Sequence, residues 1–277
     1  SCFSLLESVV RIEELVTKTK ALGFGSVALV DHNIMGGSVA FYRACLKQNL
    51  KPIFGLDFDI LYQEKRYSVI LYALDDEGYV NLMHLSSYLM CEKDYVTIDE
   101  LGKYRSHNLL VIPSDSDLYR NDLEIVFKEL ESLLGEYYIG ICGSQYIDQR
   151  NLNNQIKLKA QKYGIKTFAL NKTYYLDKED AESYKVLRAI KEKKTIDDKD
   201  LCDELGHHFL SPQEMQSLFS EDDLVMSDYI ASMCNVKMEI EKTTLPKYEC
   251  QNGISSRDYL VNLARVGLNK RLKGRVD

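Results

Sequence analysis

The sequence predicts an α/β fold: a largely parallel sheet curled or closed as a barrel, then a smaller helical segment. Three observations carry that prediction. Six short apolar runs rich in β-branched residues recur along the first 171 positions, SVALVD, KPIFGLDFDIL, YSVILYAL, LLVIPS, YYIGIC and TFALN. Stretches with apolar residues at helical intervals separate most of them, the βα alternation that builds parallel sheets with right-handed crossovers. After about Lys194 the strand-like runs stop and only helical patterns remain. About 200 residues of alternation favour a barrel related to the (β/α)8 class over a doubly wound sheet.

Each element has its own signal. Ser4-Leu5-Leu6-Glu7 has the spacing of a capping box, and Leu5, Val9, Ile12 and Val16 repeat at helical intervals, so a helix is expected to end near Gly23. Ser26–Asp31 is a short strand, Gly36 and Gly37 mark a turn, and Val39, Tyr42 and Leu46 form a helical stripe. The strand from Lys51 leads through a polar, hairpin-like break at Gln63–Arg66 into the strand from Tyr67. Helices are expected over Gly78–Cys91, Leu123–Leu134, Asn153–Tyr163 and Asp177–Lys191. Beyond them Ser211 caps a short helix with Pro212 in its first position, and Ser227–Cys234 forms another. A second capping box, Ser255 to Asp258, opens a final helix running to Asp277, which reads as leading into a further domain. The boundaries expected are 1–195 for the barrel and 196–277 for the helical connector.

Composition narrows the function. The 277 residues are 45% hydrophobic and 28% charged, which excludes disordered and collagen-like classes. A net charge of −7 argues against a free-standing nucleic-acid binder, since neutralising phosphates requires a basic surface. The seven cysteines, Cys202 among them, are scattered without a C-x-x-C pair and read as reduced, buried, intracellular thiols. No run approaches the length of a membrane span, so a cytoplasmic location is expected.

Chemistry in such folds sits beyond the carboxyl ends of the strands, where Asp31, His32 and Asp57 fall. Bland readings stand beside the functional one. Glu7 fits the capping box, Asp31 can cap the following turn, His32 can be a hydrogen-bonded loop residue, and Asp57 and Asp59 can be strand-end charges. His84 reads as helix packing. His207 and His208, adjacent in an extended segment, point to opposite faces and make poor co-ligands. No phosphate-binding loop, nucleophile elbow, H-E-x-x-H or dinucleotide fingerprint is present.

The blocks VDHNIMGG, KPIFGLDF, DDEGYVNLMHLSS, HHFLSPQEMQSLF and the final DYLVNLARVGLNKRL stand in an order and spacing that resemble one family. It is the PHP (polymerase and histidinol phosphatase) domain, in the form found at the amino terminus of bacterial DNA polymerase III alpha subunits. The resemblance implies a distorted TIM-like (β/α)7 barrel and, in active members, a cluster of two or three metal ions. His, Asp and Glu hold such a cluster, which supplies a hydroxide for phosphate-ester cleavage. SCFSLLES aligns just after the family's His-x-His motif. Glu7 stands for a family Asp, His32 is retained beside Asp31, and Asp57 replaces a Glu. Ser68 occupies a histidine position, and Lys172 and Tyr174 stand where active members have Asp and His. Two unit charges about 4 Å apart interact by roughly 4 kcal/mol at an effective dielectric near 20, and a divalent ion doubles this, so a lysine there opposes a metal cluster.

The resemblance therefore implies a degenerate site with no metal or cofactor, Lys172 pairing with Asp31 or Asp57 in its place. No catalytic residue is expected within the segment, whose role would be structural and partner-binding. The implied partners are the rest of the alpha subunit, a proofreading exonuclease subunit, and DNA through the full-length protein, with Mg²⁺ held by the polymerase core outside this segment. The alternative is an active metal-dependent phosphoesterase or 3′-5′ exonuclease using Zn or Mn.

Overall fold

A computed structural model describes residues 1–121, 123–143, 146–198, 206–240, 248–250 and 253–272. Cys202 lies outside the described residues, as does the end of the last helix beyond Leu272.

Seven strands form one mixed sheet: β1 (Ser26–His32), β2 (Lys51–Tyr62), β3 (Lys65–Ala73), β4 (Val96–Thr97), β5 (Asn108–Pro113), β6 (Tyr138–Cys142) and β7 (Thr167–Leu170). Their order is β1-β2-β3-β5-β6-β7, with β4 paired to β2. The β1–β2, β2–β4, β5–β6 and β6–β7 ladders are parallel. Only β3 runs against its neighbours, because Gln63 and Glu64, both at positive φ, fold β2 directly back on it. The sheet curls as a half-barrel; among the described residues β1 and β7 end the strand order, and they and β4 are each paired on one side only.

Helices α1 (Ile12–Ala21), α2 (Ser38–Lys47), α3 (Asp76–Cys91), α4 (Ile98–Leu101), α5 (Leu123–Leu134), α6 (Ile147–Lys162) and α7 (Ala181–Glu192) connect the strands and follow the last. The amphipathic face of α5 places Val126, Phe127, Leu130 and Leu134 in the core, as its 3.6-residue spacing requires. Strands β5 and β6 are buried at every position, so their apolar runs do not alternate.

The first helix begins at Ile12, well after the expected capping box. Ser4 Oγ is drawn instead to Asp31, 2.7 Å away, and Leu6 sits at φ 62°, outside the helical region. Further along the chain the capping box Ser211/Glu214, with Pro212 following Ser211, starts α8 (Pro212–Leu218) as expected. Helix α9 (Glu221–Met233) begins six residues before the sequence reading placed it, because Ser220 caps it by accepting from the Asp223 amide.

Helix α9 packs against β7 and into the core. Ile230 and, just after the helix, Cys234 pack in one core cluster with Ile53, Tyr72, Phe168 and Leu170. Buried Asp223 accepts from Thr167 of β7 at 2.7 Å and from Lys157 at 2.6 Å, while Asn235 N–H donates to Leu74 C=O at 2.7 Å. Accordingly the compact unit runs from Ser1 to Met238, and the boundary expected after 195 falls inside it. A second unit, Glu239–Asp277, contains α10 (Ser256–Leu272), with Tyr248 stacked on Tyr259 and Ser255 accepting from the Asp258 amide.

The described cysteines form no disulfide. Cys45, Cys142 and Cys234 are buried, whereas Cys2 and Cys91 are exposed, contrary to the uniform burial expected. Burial pushes the Cys45 and Cys142 thiols up to about 12, which leaves them protonated and unreactive. His84 is exposed on α3 and not packed. Among the described residues no helix is long and apolar enough to cross a membrane.

Candidate functional site

Parallel pairing of β1 with β2 sets His32, the last residue of β1, opposite Asp57, which lies in the middle of the longer β2 and not at a strand end as the sequence suggested. His32 Nδ1 lies 3.1 Å from Asp57 Oδ2, and Ser68 Oγ, from β3, donates to Asp57 Oδ1 at 2.6 Å. Burial works against a charged imidazole. The hydrogen bond to Asp57 and the charges of Asp57, Glu7 and Asp59 outweigh it, and the His32 pKa is raised.

Asp31, only 2% exposed, is committed elsewhere. It accepts from Ser4 Oγ, from Ser1 Oγ at 2.8 Å and from the Ser1 amino group, while Ser4 Oγ also accepts the His32 amide at 2.9 Å. Glu7 turns away from Ser4, and Lys191 of α7 donates to it at 2.5 Å.

Lys172 follows β7 at the same end. It does not meet Asp31 or Asp57; its Nζ donates to Asp115 Oδ1 at 2.9 Å. Burial again opposes the charge, but Cys142, Asp115 and Tyr174 outweigh it and hold the ammonium's pKa above its ordinary value. Tyr174 stacks on Tyr184 with ring centres 5.4 Å apart and also contacts His207, and its burial raises the phenol's pKa. Glu7, Asp115, Tyr174, Arg188, Lys191 and His207 line a polar cavity of about 400 Å³. The adjacent histidines diverge as expected: His207 Nδ1 faces the Lys172 carbonyl, and His208 Nε2 faces Glu214.

The structure thus brings together His32, Asp57 and Ser68 as one chain of contacts, and sets Lys172 and Tyr174 across the same end. It assigns Asp31 and Glu7 to separate partners. Sequence reading missed Asp115 and Lys191. Asp115 carried a usable signal, since it stands immediately after the buried run LLVIPS, where strand-end acids cluster. Lys191 carried none, because its contact with Glu7 spans 184 positions. Among the described residues no group of three or more His, Cys, Asp or Glu is arranged to hold a metal ion.

Residues 1–137, nearly half of the chain, match the PHP domain model. Along nearly its whole length the chain is similar to DNA polymerase III alpha subunits. It is 32% identical over 286 residues to that of Halalkalibacterium halodurans, covering 97% of this chain and 25% of that protein. With the alpha subunit of Bacillus subtilis it is 30% identical, covering 98% of this chain and 26% of that protein. The chain therefore spans about a quarter of the length of these relatives. Among solved structures, an amidohydrolase from Chromobacterium violaceum aligns with a TM-score of 0.45 and 12% identity over 59% of this chain and 82% of that one, too low to carry an argument.

Proposed function

We propose that this chain is the PHP-domain segment of a replicative, cytoplasmic DNA polymerase III alpha subunit. In this reading its barrel serves as a scaffold and partner surface and not as a catalyst. The observation that carries the polymerase assignment is similarity across 97% of the chain, well past residue 137 and through the helices that follow the sheet. DNA-templated nucleotidyl transfer, with its Mg²⁺, belongs in this reading to residues outside the segment. The partners are the remainder of the alpha subunit and, through the barrel's surface, a proofreading exonuclease.

Four contacts support a degenerate metal site. Asp57 is engaged by Ser68 and His32, Asp31 by Ser4, and the Lys172 ammonium lies 2.9 Å from Asp115, so the acids already have hydroxyl or cationic partners. A divalent ion near Lys172 would meet a fixed positive charge in a partly desolvated site. These residues do not fit a bridged metal cluster.

The retained His32–Asp57 pair favours the second reading, a working phosphoesterase or 3′-5′ exonuclease, because imidazole and carboxylate suit Zn or Mn. Elemental analysis of the purified protein after dialysis against Zn²⁺ and Mn²⁺, with phosphodiester turnover assayed in parallel, separates the two. The scaffold reading expects substoichiometric metal and no turnover. Stoichiometric metal with turnover abolished by His32→Ala would overturn it.

A further inference from the structure

We propose that the cleft between α2 and α3 is a docking groove for an acidic, amphipathic helix of a partner protein. The two helices lie side by side on one face of the sheet, because the buried Phe54 ring of β2 is packed by Phe41 and Tyr42 of α2 and by Tyr79 of α3. They run in opposite directions: α2 leads back between the parallel strands β1 and β2, whereas α3 follows antiparallel β3.

Contacts on each flank of α3 fix which side faces α2. On the far flank Asn81 donates to the Ser106 carbonyl at 2.8 Å and Tyr88 to Glu100 at 3.0 Å. On the near flank Tyr79 meets Phe54, and Ser86 donates to the Asn33 carbonyl, between β1 and α2, at 2.9 Å. Met83 and Met90 stand four residues after Tyr79 and Ser86, so they share the near flank. Because the helices are antiparallel, the matching flank of α2 looks back at α3; it carries Val39 and Leu46, three before and four after Tyr42. With Val80 these side chains line and rim the cleft, each 40% to 60% exposed. Single exposed apolar residues are ordinary, but a set gathered across two helices over about 15 Å is of the kind that binds partners. Methionines on one wall adapt to the side chains of an incoming helix.

Charge selects the occupant. Although the chain carries a net −7, α2 contains no acidic residue and α3 has none after Glu77. Arg43 and Lys47, both exposed on α2, have no ion pair among the described residues. A second copy would bring the same cations to the cleft, and two cations supply few of the phosphate contacts that nucleic acid needs. A helix with carboxylates beside its apolar face complements both the cations and the groove. The inference rests on the reading of the barrel as a partner surface but is tested apart from it, since metal content and turnover do not depend on this cleft.

Methionine-methyl NMR on the 277-residue chain tests this with a defined probe, an acetylated helical peptide of about four turns with leucines along one face and glutamates beside them. The Met83 and Met90 methyl signals should shift saturably on titration, while those of Met226 and Met233, packed against the core cluster, stay in place. A peptide with lysines for the glutamates should bind on the order of tenfold more weakly, and Arg43→Glu should remove that preference. Leu46→Asp, at an exposed position, should abolish the shifts without altering the thermal melt. Unmoved Met83 and Met90 signals, equal affinity for the two peptides, or shifts unaffected by Leu46→Asp would overturn the proposal. So would shifts that grow with protein concentration alone, which would assign the cleft to a second copy.

Discussion

Lys172 and His107 show how single charges are held in this molecule. The Lys172 and Asp115 side chains are 20% and 31% exposed, so their pair is partly shielded from water. Removing one member of a fully buried pair costs about 3–5 kcal/mol, and discounting for the exposure leaves about 2–3 kcal/mol for Lys172→Met, measurable by urea denaturation. Because the lysine's folded pKa is raised above 10.5, its contribution is fully present below that pH and is lost only as pH rises through the folded value. The Lys172→Met deficit should therefore be flat across neutral pH. His107 behaves differently. Its Nδ1 lies 2.7 Å from Asp75 and its Nε2 3.1 Å from Glu77, and the Asp75 bond and charge raise its pKa above 6.5. That stabilisation is complete below pH 6.5 and disappears as pH rises through the higher folded value, so His107→Gln should remove this slope from a series of thermal melts. Neither partner could be read locally, since Asp115 lies 57 positions from Lys172 and Asp75 lies 32 from His107. Ser4 and Glu7 illustrate the converse: a sound local signature lost to Asp31, 27 positions away, and to Lys191.

At the scale of elements, strands buried on both faces were the most legible, because nothing but a continuous apolar run can fill β5 and β6. Helix beginnings were legible where the capping side chain had no competing partner, as at Ser211, and obscure where it had one, as at Ser4. The β2–β3 hairpin was visible as a polar break, but its cost was not. Gln63 and Glu64 both occupy the left-handed region, at φ 46° and 62°. A residue with a side chain there gives up roughly 1–2 kcal/mol relative to the right-handed region, whereas glycine does not. Glu64→Gly relieves that strain and raises the entropy of the unfolded chain, which leaves a net gain of about 0.5–1 kcal/mol. In differential scanning calorimetry that gain should raise Tm by roughly 2 °C. An unchanged or lower Tm would mean that the turn relaxes its strain elsewhere.

For the whole molecule, the change of character after Lys194 was real in the sequence yet did not mark where the compact unit ends. Strands stop there, but α9 still supplies Ile230 to the same core as Ile53, Tyr72, Phe168 and Leu170, and Cys234 follows it in. A sheet open along one side cannot shield its concave face alone, so a helix distant in sequence becomes part of the barrel. Periodicity within a window could not reveal this, because the helix reads the same whether it packs on the sheet or leads away from it. Two truncations distinguish the boundaries. A chain ending at residue 195 exposes those core side chains and removes the Asp223 contacts with Lys157 and Thr167, and burial of each large apolar side chain is worth about 1.5–3 kcal/mol. Losing several of them is comparable to the whole stability of a typical domain, about 5–15 kcal/mol, so this chain should bind hydrophobic dye and lose its cooperative melt. A chain ending at Met238 keeps every one of these contacts and should unfold in a single transition at the midpoint of that unit in the longer chain. If the shorter truncation melts cooperatively at that same midpoint, α9 is an accessory to the barrel and not its closing element.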